Sequence, residues 1–205
     1  MVYYVWRQFP PARNALEQAT ALVPLQPAAE CALADCYLAC GQRELAHLMY
    51  RHLLQRDEVD ADVLLAVAAG LDQVGESRGA VAACRRAIFL DGAMSQAYYD
   101  LSFYLGRSSA PPDIVEAAAQ RAVLLDPDNI TYRIGLAGFL QGQSRSQEAA
   151  RLLEPLAAEQ VLAMNCRCCL ARLIAIFEAV DDQERAAWCR SRQEALLLSG
   201  SQLEC

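Results

Sequence analysis

Apolar side chains return along this chain at helical spacing, and no stretch sustains the two-residue alternation of a half-buried strand or an Asn-Gly hairpin between two such stretches. A longer period lies on top of the helical one. Placing Gly41 over Gly75 brings Leu33-Ala34, Tyr37, Ala46 and Tyr50 over Val67-Ala68, Leu71, Ala80 and Cys84, an offset of 34 residues. A large residue, a small one and another large one before a turn, then a small one five residues on, predicts two short antiparallel helices per period.

Numbered so that the turn glycine is fifteenth, units begin at Pro27, Ala61, Ser95, Ile130 and Met164. The seventh and eighth positions are Leu33-Ala34, Val67-Ala68, Leu101-Ser102, Leu136-Ala137 and Leu170-Ala171. Tyr37, Leu71, Leu105, Leu140 and Ile174 are eleventh, and Ala46, Ala80, Val115, Ala149 and Ala186 are assigned as the twentieth. Small residues there let paired helices approach closely. The one added residue of the third unit falls in Arg107-Ser-Ser-Ala-Pro-Pro-Asp113, whose prolines open a helix but do not continue one.

This pattern resembles the tetratricopeptide repeat family over nearly the whole chain. The departures are Glu30, Leu64, Tyr98, Arg133 and Arg167 at the usual tryptophan position and the lack of glycine at every eighth position. The resemblance implies an all-α fold, a right-handed α-α superhelix (solenoid) of about five helix-turn-helix units. The expected organisation is a single array over 1–205. It comprises an N-terminal half-unit at 1–26, repeats at 27–60, 61–94, 95–129, 130–163 and 164–198, and a mobile tail at 199–205. Because Ala12, Leu16, Ala19, Leu22 and Pro24 fall in phase with a second helix, the array begins in mid-unit. That start reads either as a capping segment built on Val2-Tyr3-Tyr4-Val5-Trp6 or, the favoured reading, as a piece of a longer protein. The charged run from Asp181 to Glu194 suits a solvating last helix.

The family's geometry implies a groove lined by the first helix of each unit, whose fifth positions are Cys31, Leu65, Tyr99, Ile134 and Cys168. From these and their neighbours, the expected partner-binding residues are Leu65, Tyr99, Phe103, Arg107, Ile134, Cys168 and Arg172, with Tyr99 and Phe103 as an i, i+4 aromatic pair beside Gly106, Gly138 and Gly142. Asp35, Asp62 and Asp72 make the N-terminal half of the groove acidic, so its partner is neutral or basic. A chaperone-tail clamp is excluded by a chain without lysine, whose ninth positions Asp35, Ala69, Phe103 and Gly138 supply no amide.

Charge narrows the partners further. Eighteen basic residues, all arginine, stand against 25 acids, a net charge of -7. An acidic surface repels phosphate, so nucleic acid is not the expected ligand. No apolar run is long enough to span a membrane. Nine cysteines make an odd number, and Cys31, Cys36, Cys40, Cys84 and Cys189 replace small apolar residues, which points to free thiols and a cytoplasmic location. In Cys166-Arg-Cys168-Cys169, Cys166 and Cys169 share a helical face and Cys168 turns towards the groove. A metal there needs further ligands, Cys189 being one candidate, and a structural role for these cysteines is the expectation, with no metal and no cofactor.

No phosphate-binding glycine loop, Gly-x-Ser-x-Gly elbow or His-Glu-x-x-His motif occurs, so no catalytic residue is expected. The expected function is a non-catalytic scaffold holding a peptide or partner domain in the groove. Two other readings stand beside it. One is the interaction arm of a larger enzyme or of a secretion or assembly protein. The other is self-association into a homo-oligomer through the N-terminal aromatic segment.

Overall fold

The computed structural model describes residues 8–198, so the expectations about Val2 to Trp6 and about the tail from Ser199 lie outside the described residues. Twelve helices and no strand occur among those residues: α1 (Phe9–Thr20), α2 (Pro27–Ala39), α3 (Arg43–Gln55), α4 (Ala61–Gln73), α5 (Ser77–Leu90), α6 (Ser95–Arg107), α7 (Pro112–Leu125), α8 (Ile130–Gly142), α9 (Ser146–Leu152), α10 (Ala158–Ala163), α11 (Arg167–Ala179) and α12 (Gln183–Leu198). None of them is long and apolar enough to cross a membrane. The chain divides into two compact units after Ala118, within α7.

One backbone turn recurs five times and fixes the repeat more firmly than any side chain. Gly41, Gly75, Ser109, Ser144 and Asp181 all have positive φ, between 58° and 82°, in the link from one helix to its partner. In each case the next residue's N–H closes back on the carbonyl four residues before the turn residue. The five bonds run from Gln42 to Tyr37, Glu76 to Leu71, Ala110 to Leu105, Arg145 to Leu140 and Asp182 to Phe177, at 2.8–3.0 Å. This is the Schellman closure of a helix, which demands a left-handed residue and thereby explains the glycines at 41 and 75.

The last of these turns corrects the sequence frame. Asp181 and Phe177 occupy the fifteenth and eleventh positions of a pair that starts at Arg167, three residues later than the 164–198 frame, so Phe177 replaces Ile174 as the closing large residue. The cause lies just upstream. Pro155 has no N–H to donate, and the second helix of the fourth pair breaks into α9 and α10, with Gln160 Oε1 accepting from the free N–H of Ala157 at 3.0 Å.

In the first unit α2 packs on α3 and on α4, α3 on α5, and α4 on α5 and on α6. Ala12 and Leu16 of α1 close one end over Ala32, Leu33 and Cys36, whereas Leu22, expected in the same phase, is exposed. Tyr50, Leu53, Leu64, Val67 and Leu71 have no accessible surface. In the second unit Leu136, Leu140, Leu153, Val161, Leu170, Leu173, Ile176 and Phe177 form one core with Ala149, Ala186 and Cys189. The expected small residues at the twentieth position are fully buried at Ala46, Ala80, Ala149 and Ala186, and Val115 is nearly so.

Candidate functional site

In the first unit, α2 and α4 run side by side and leave a cavity of about 180 Å³ lined by Ala28, Cys31, Ala32, Asp35, Asp62, Val63 and Ala66. Small residues create the space: three alanines line it where larger side chains would close it. Cys31 and Ala32 are buried at its floor, and Asp62 is exposed. Burial, together with the negative charge of Asp35, pushes the Cys31 thiol up to about 12, so the floor stays neutral and apolar. Asp35 is held from behind, its Oδ1 accepting the hydroxyl of buried Tyr50 at 2.5 Å. An apolar slot with carboxylates on its lining matches the chemistry of an arginine or lysine side chain, whose stem is apolar and whose head is cationic.

Further along the same unit, the expected contact residues are partly committed to the protein itself. Arg107 Nε pairs with Asp72 Oδ1 at 2.8 Å, and Ser77 Oγ donates to the same carboxylate oxygen at 3.1 Å. The acidic character assigned to Asp72 is therefore neutralised locally, and the acidic surface contracts to Asp35 and Asp62. The Arg107 guanidinium also stands 5.8 Å from the ring centroid of Phe103, and Phe103 meets Tyr104 edge to face at 5.5 Å. Phe103 remains 49 % exposed, Leu65 and Tyr99 are half-buried, and nothing stands within 4 Å of where a Cβ on Gly106 would be. These residues line an amphipathic surface with an open flank.

In the second unit, Ile134 departs from expectation. It is 2 % exposed inside the hydrophobic core of its unit and offers no surface to a partner. Arg172 is exposed, but its aliphatic stem lies across Gly138, where a Cβ would come within 3.2 Å of Arg172 Cδ. The space attributed to Gly138 is thus occupied. Cys168 does not turn away from its neighbours: Cys166, Cys168 and Cys169 bring their sulfurs within 4.8 Å of one another at the start of α11. Cys189 is buried in the core.

Sequence reasoning overlooked the cavity between α2 and α4 and the convergence of the three sulfurs. The signal for the first was present in the run of small residues Ala28, Ala32 and Ala66 on facing first helices. The second needed the frame shift introduced by Pro155, which makes Cys166 the N-cap residue of α11.

No protein-family model matches the sequence, and no curated protein matches it. Solved structures do match. PilF of Pseudomonas aeruginosa superposes with a TM-score of 0.74 at 19% identity, covering 97% of this chain and 88% of that one. A tetratricopeptide repeat protein of Parabacteroides merdae gives 0.72 at 14% identity, covering 96% and 75%. YrrB, a tetratricopeptide repeat protein with an unusual peptide-binding site, gives 0.60 at 12% identity over 93% and 87%. The chain is an all-α protein with the tetratricopeptide repeat fold.

Proposed function

We propose that the chain is a non-catalytic protein-interaction scaffold, and that its first unit grips an extended peptide segment carrying a basic residue. The observation behind this reading is the apolar cavity between α2 and α4 with Asp35 and Asp62 in its lining. A partner's arginine or lysine fits there by stem and charge. Neighbouring apolar side chains of the same peptide then rest on Leu65, Tyr99 and Phe103, with Arg107 closing the flank. The peptide-binding site of YrrB lends support as an analogy of fold. In the second unit, Cys168 and Arg172 remain contact residues in this proposal and Ile134 does not. Repeats at 27–60, 61–94, 95–129 and 130–163 and a last one from 167 to 198 carry the surface. The cytoplasm is the proposed location, which the free thiols of Cys31, Cys36, Cys84 and Cys189 suit.

Selection of random twelve-residue peptides on the purified chain tests this directly. Enriched ligands should carry arginine or lysine beside apolar residues. Exposed Asp62→Asn should weaken them about tenfold, as should the pair Tyr99→Ala and Phe103→Ala, with helix content unchanged in circular dichroism. Ligands without a basic residue, or ones indifferent to both variants, would sink the proposal.

A further inference from the structure

The start of α11 gathers sulfur in a way that a packing role does not require. Cys166 is the N-cap residue, outside the helix by its backbone angles, and its Sγ accepts the N–H of Cys169 at 3.2 Å. The Sγ atoms of Cys166 and Cys169 are 2.7 Å apart, and that of Cys168 is 3.1 Å from Cys166. Neither Cys166 nor Cys169 is in a disulfide and both are only half-buried, whereas Cys168 is disulfide-bonded and so is no partner in a dithiol. Two thiol sulfurs in contact at this distance are well inside the spacing of ordinary nonbonded neighbours. Residues three apart on one helical turn also fall within the roughly 4.4–6.8 Å Cα separation that a disulfide spans.

The geometry points to Cys166 and Cys169 as a reversible dithiol–disulfide couple that reacts with low-molecular-weight disulfides. The two sulfurs have different parts. Cys166 Sγ stands outside the helix at its N-cap, half-buried and accepting a backbone N–H, and is the sulfur placed to meet an incoming disulfide. Cys169 is its opposite: burial, and then the hydrogen bond and charge of Cys166, push its thiol up to about 12, with Arg172 acting in the other direction. Cys169 therefore keeps its proton until it is called on as the resolving thiol.

The Cys166 thiolate attacks one sulfur of the small disulfide, forming a mixed disulfide and expelling one thiolate. Cys169 then gives its proton to water and attacks Cys166 Sγ. The Cys166–Cys169 bond forms, the mixed disulfide breaks and a second thiolate leaves. Two protein thiols are oxidised, and the small disulfide is reduced to two thiols.

The full-length chain and its Cys168→Ser variant, the latter to remove exchange with the third sulfur, are equilibrated in mixtures of reduced and oxidised glutathione. Samples are quenched with acid, alkylated and digested with trypsin. Arg151, Arg167 and Arg172 place Cys166 on the peptide 152–167 and Cys169 on the peptide 168–172, so the bond appears as a cross-link between them. In Cys168→Ser the ratio of cross-linked to reduced protein should grow in proportion to oxidised glutathione, fall with the inverse square of the reduced glutathione concentration and vanish on adding dithiothreitol. In Cys169→Ser a glutathione adduct on Cys166 should accumulate at least tenfold over the wild type. A stable adduct on Cys166 beside an alkylated Cys169 in Cys168→Ser would overturn the proposal, and so would two thiols that alkylate freely at every ratio.

Discussion

The ring of Tyr50 lies against the backbone of Gly70: a Cβ on Gly70 would stand 2.3 Å from Tyr50 Cζ, and the ring has no accessible surface. Gly70 lies inside α4, where helix propensity alone makes alanine better by about 1 kcal/mol. Overpacking decides the sign instead, because an atom at 2.3 Å must drive the ring off its hydrogen bond to Asp35. Gly70→Ala should destabilise the first unit by about 2–3 kcal/mol in urea titration. In a Tyr50→Leu background the same change should cost at least about 1 kcal/mol less, the coupling expected of side chains in contact. Equal costs in both backgrounds would show that the ring is not what excludes the methyl group.

One repeat further on, the sizes are exchanged. Cys84 stands where Tyr50 stood, Tyr104 stands where Gly70 stood, and the two are close enough for Cys84 to be among the groups that raise the Tyr104 hydroxyl, after burial and Asp100. Large on small and small on large fill the same space, and that rule was only half legible. The 34-residue period disclosed that positions 50 and 84 correspond, but a sequence aligned to itself does not say which residue of the next helix each one meets. The same limit explains Ile134, whose apolar row was recognised and whose partner surface, the core of its own unit, was not. Pro155 is a different case. The break it makes in a helix is readable from one residue, and the three-residue shift of α11 follows from it.

Asp100 is the charged group that this packing strains most visibly. Burial pushes its carboxyl up from 3.8 to about 6, against the opposing effect of Gln96, whose Nε2 donates to Oδ1 at 2.7 Å. Cys84 from α5 and Tyr104 on its own helix share the site. A carboxyl whose pKa is raised on folding binds its proton more tightly in the native state. Its contribution is therefore fully present below about pH 4 and is lost as pH rises through about 6. Asp100→Asn, which keeps an acceptor for Gln96 without the charge, should be more stable than wild type at pH 7.5 by about 2 kcal/mol. The two proteins should converge near pH 4. A difference that stays constant between those pH values would refute the assignment to Asp100.

Three of the five left-handed turn residues are not glycine, and Ser144, at φ 62°, has no advantage in that region. An L-residue there costs about 1–2 kcal/mol, part of which glycine returns through the greater freedom of the unfolded chain. Ser144→Gly should raise the stability of the second unit by about 0.5–1 kcal/mol, and Ser109→Gly should do the same for the first. Thermal melts of each variant check this, and a lowered midpoint would mean that the serine side chain supports its turn.

Arg185 holds the broken segment of the second unit to its last hairpin. Its Nη1 donates to the carbonyl of Leu153 at 3.1 Å, just where α9 ends before Pro155, and its Nε pairs with Asp182 at 2.5 Å. The guanidinium lies 4.5 Å from the centroid of the Phe177 ring. The Leu153 carbonyl, which also accepts the Leu156 N–H at 3.0 Å, thus gains a charged donor, and the planar head lies over an aromatic face, a combination that a lysine ammonium does not reproduce. Arg185→Ala should destabilise the second unit by about 2 kcal/mol, since it removes a charge-assisted hydrogen bond and a cation–π contact together. Arg185→Lys should recover less than half of that. Amide hydrogen exchange gives the sharper reading: in Arg185→Ala, protection should fall first at Leu153 and Leu156 and at the turn around Asp182, while the α2–α4 region keeps its wild-type rates. Loss spread evenly over both units would show that Arg185 serves the whole chain and not this connection.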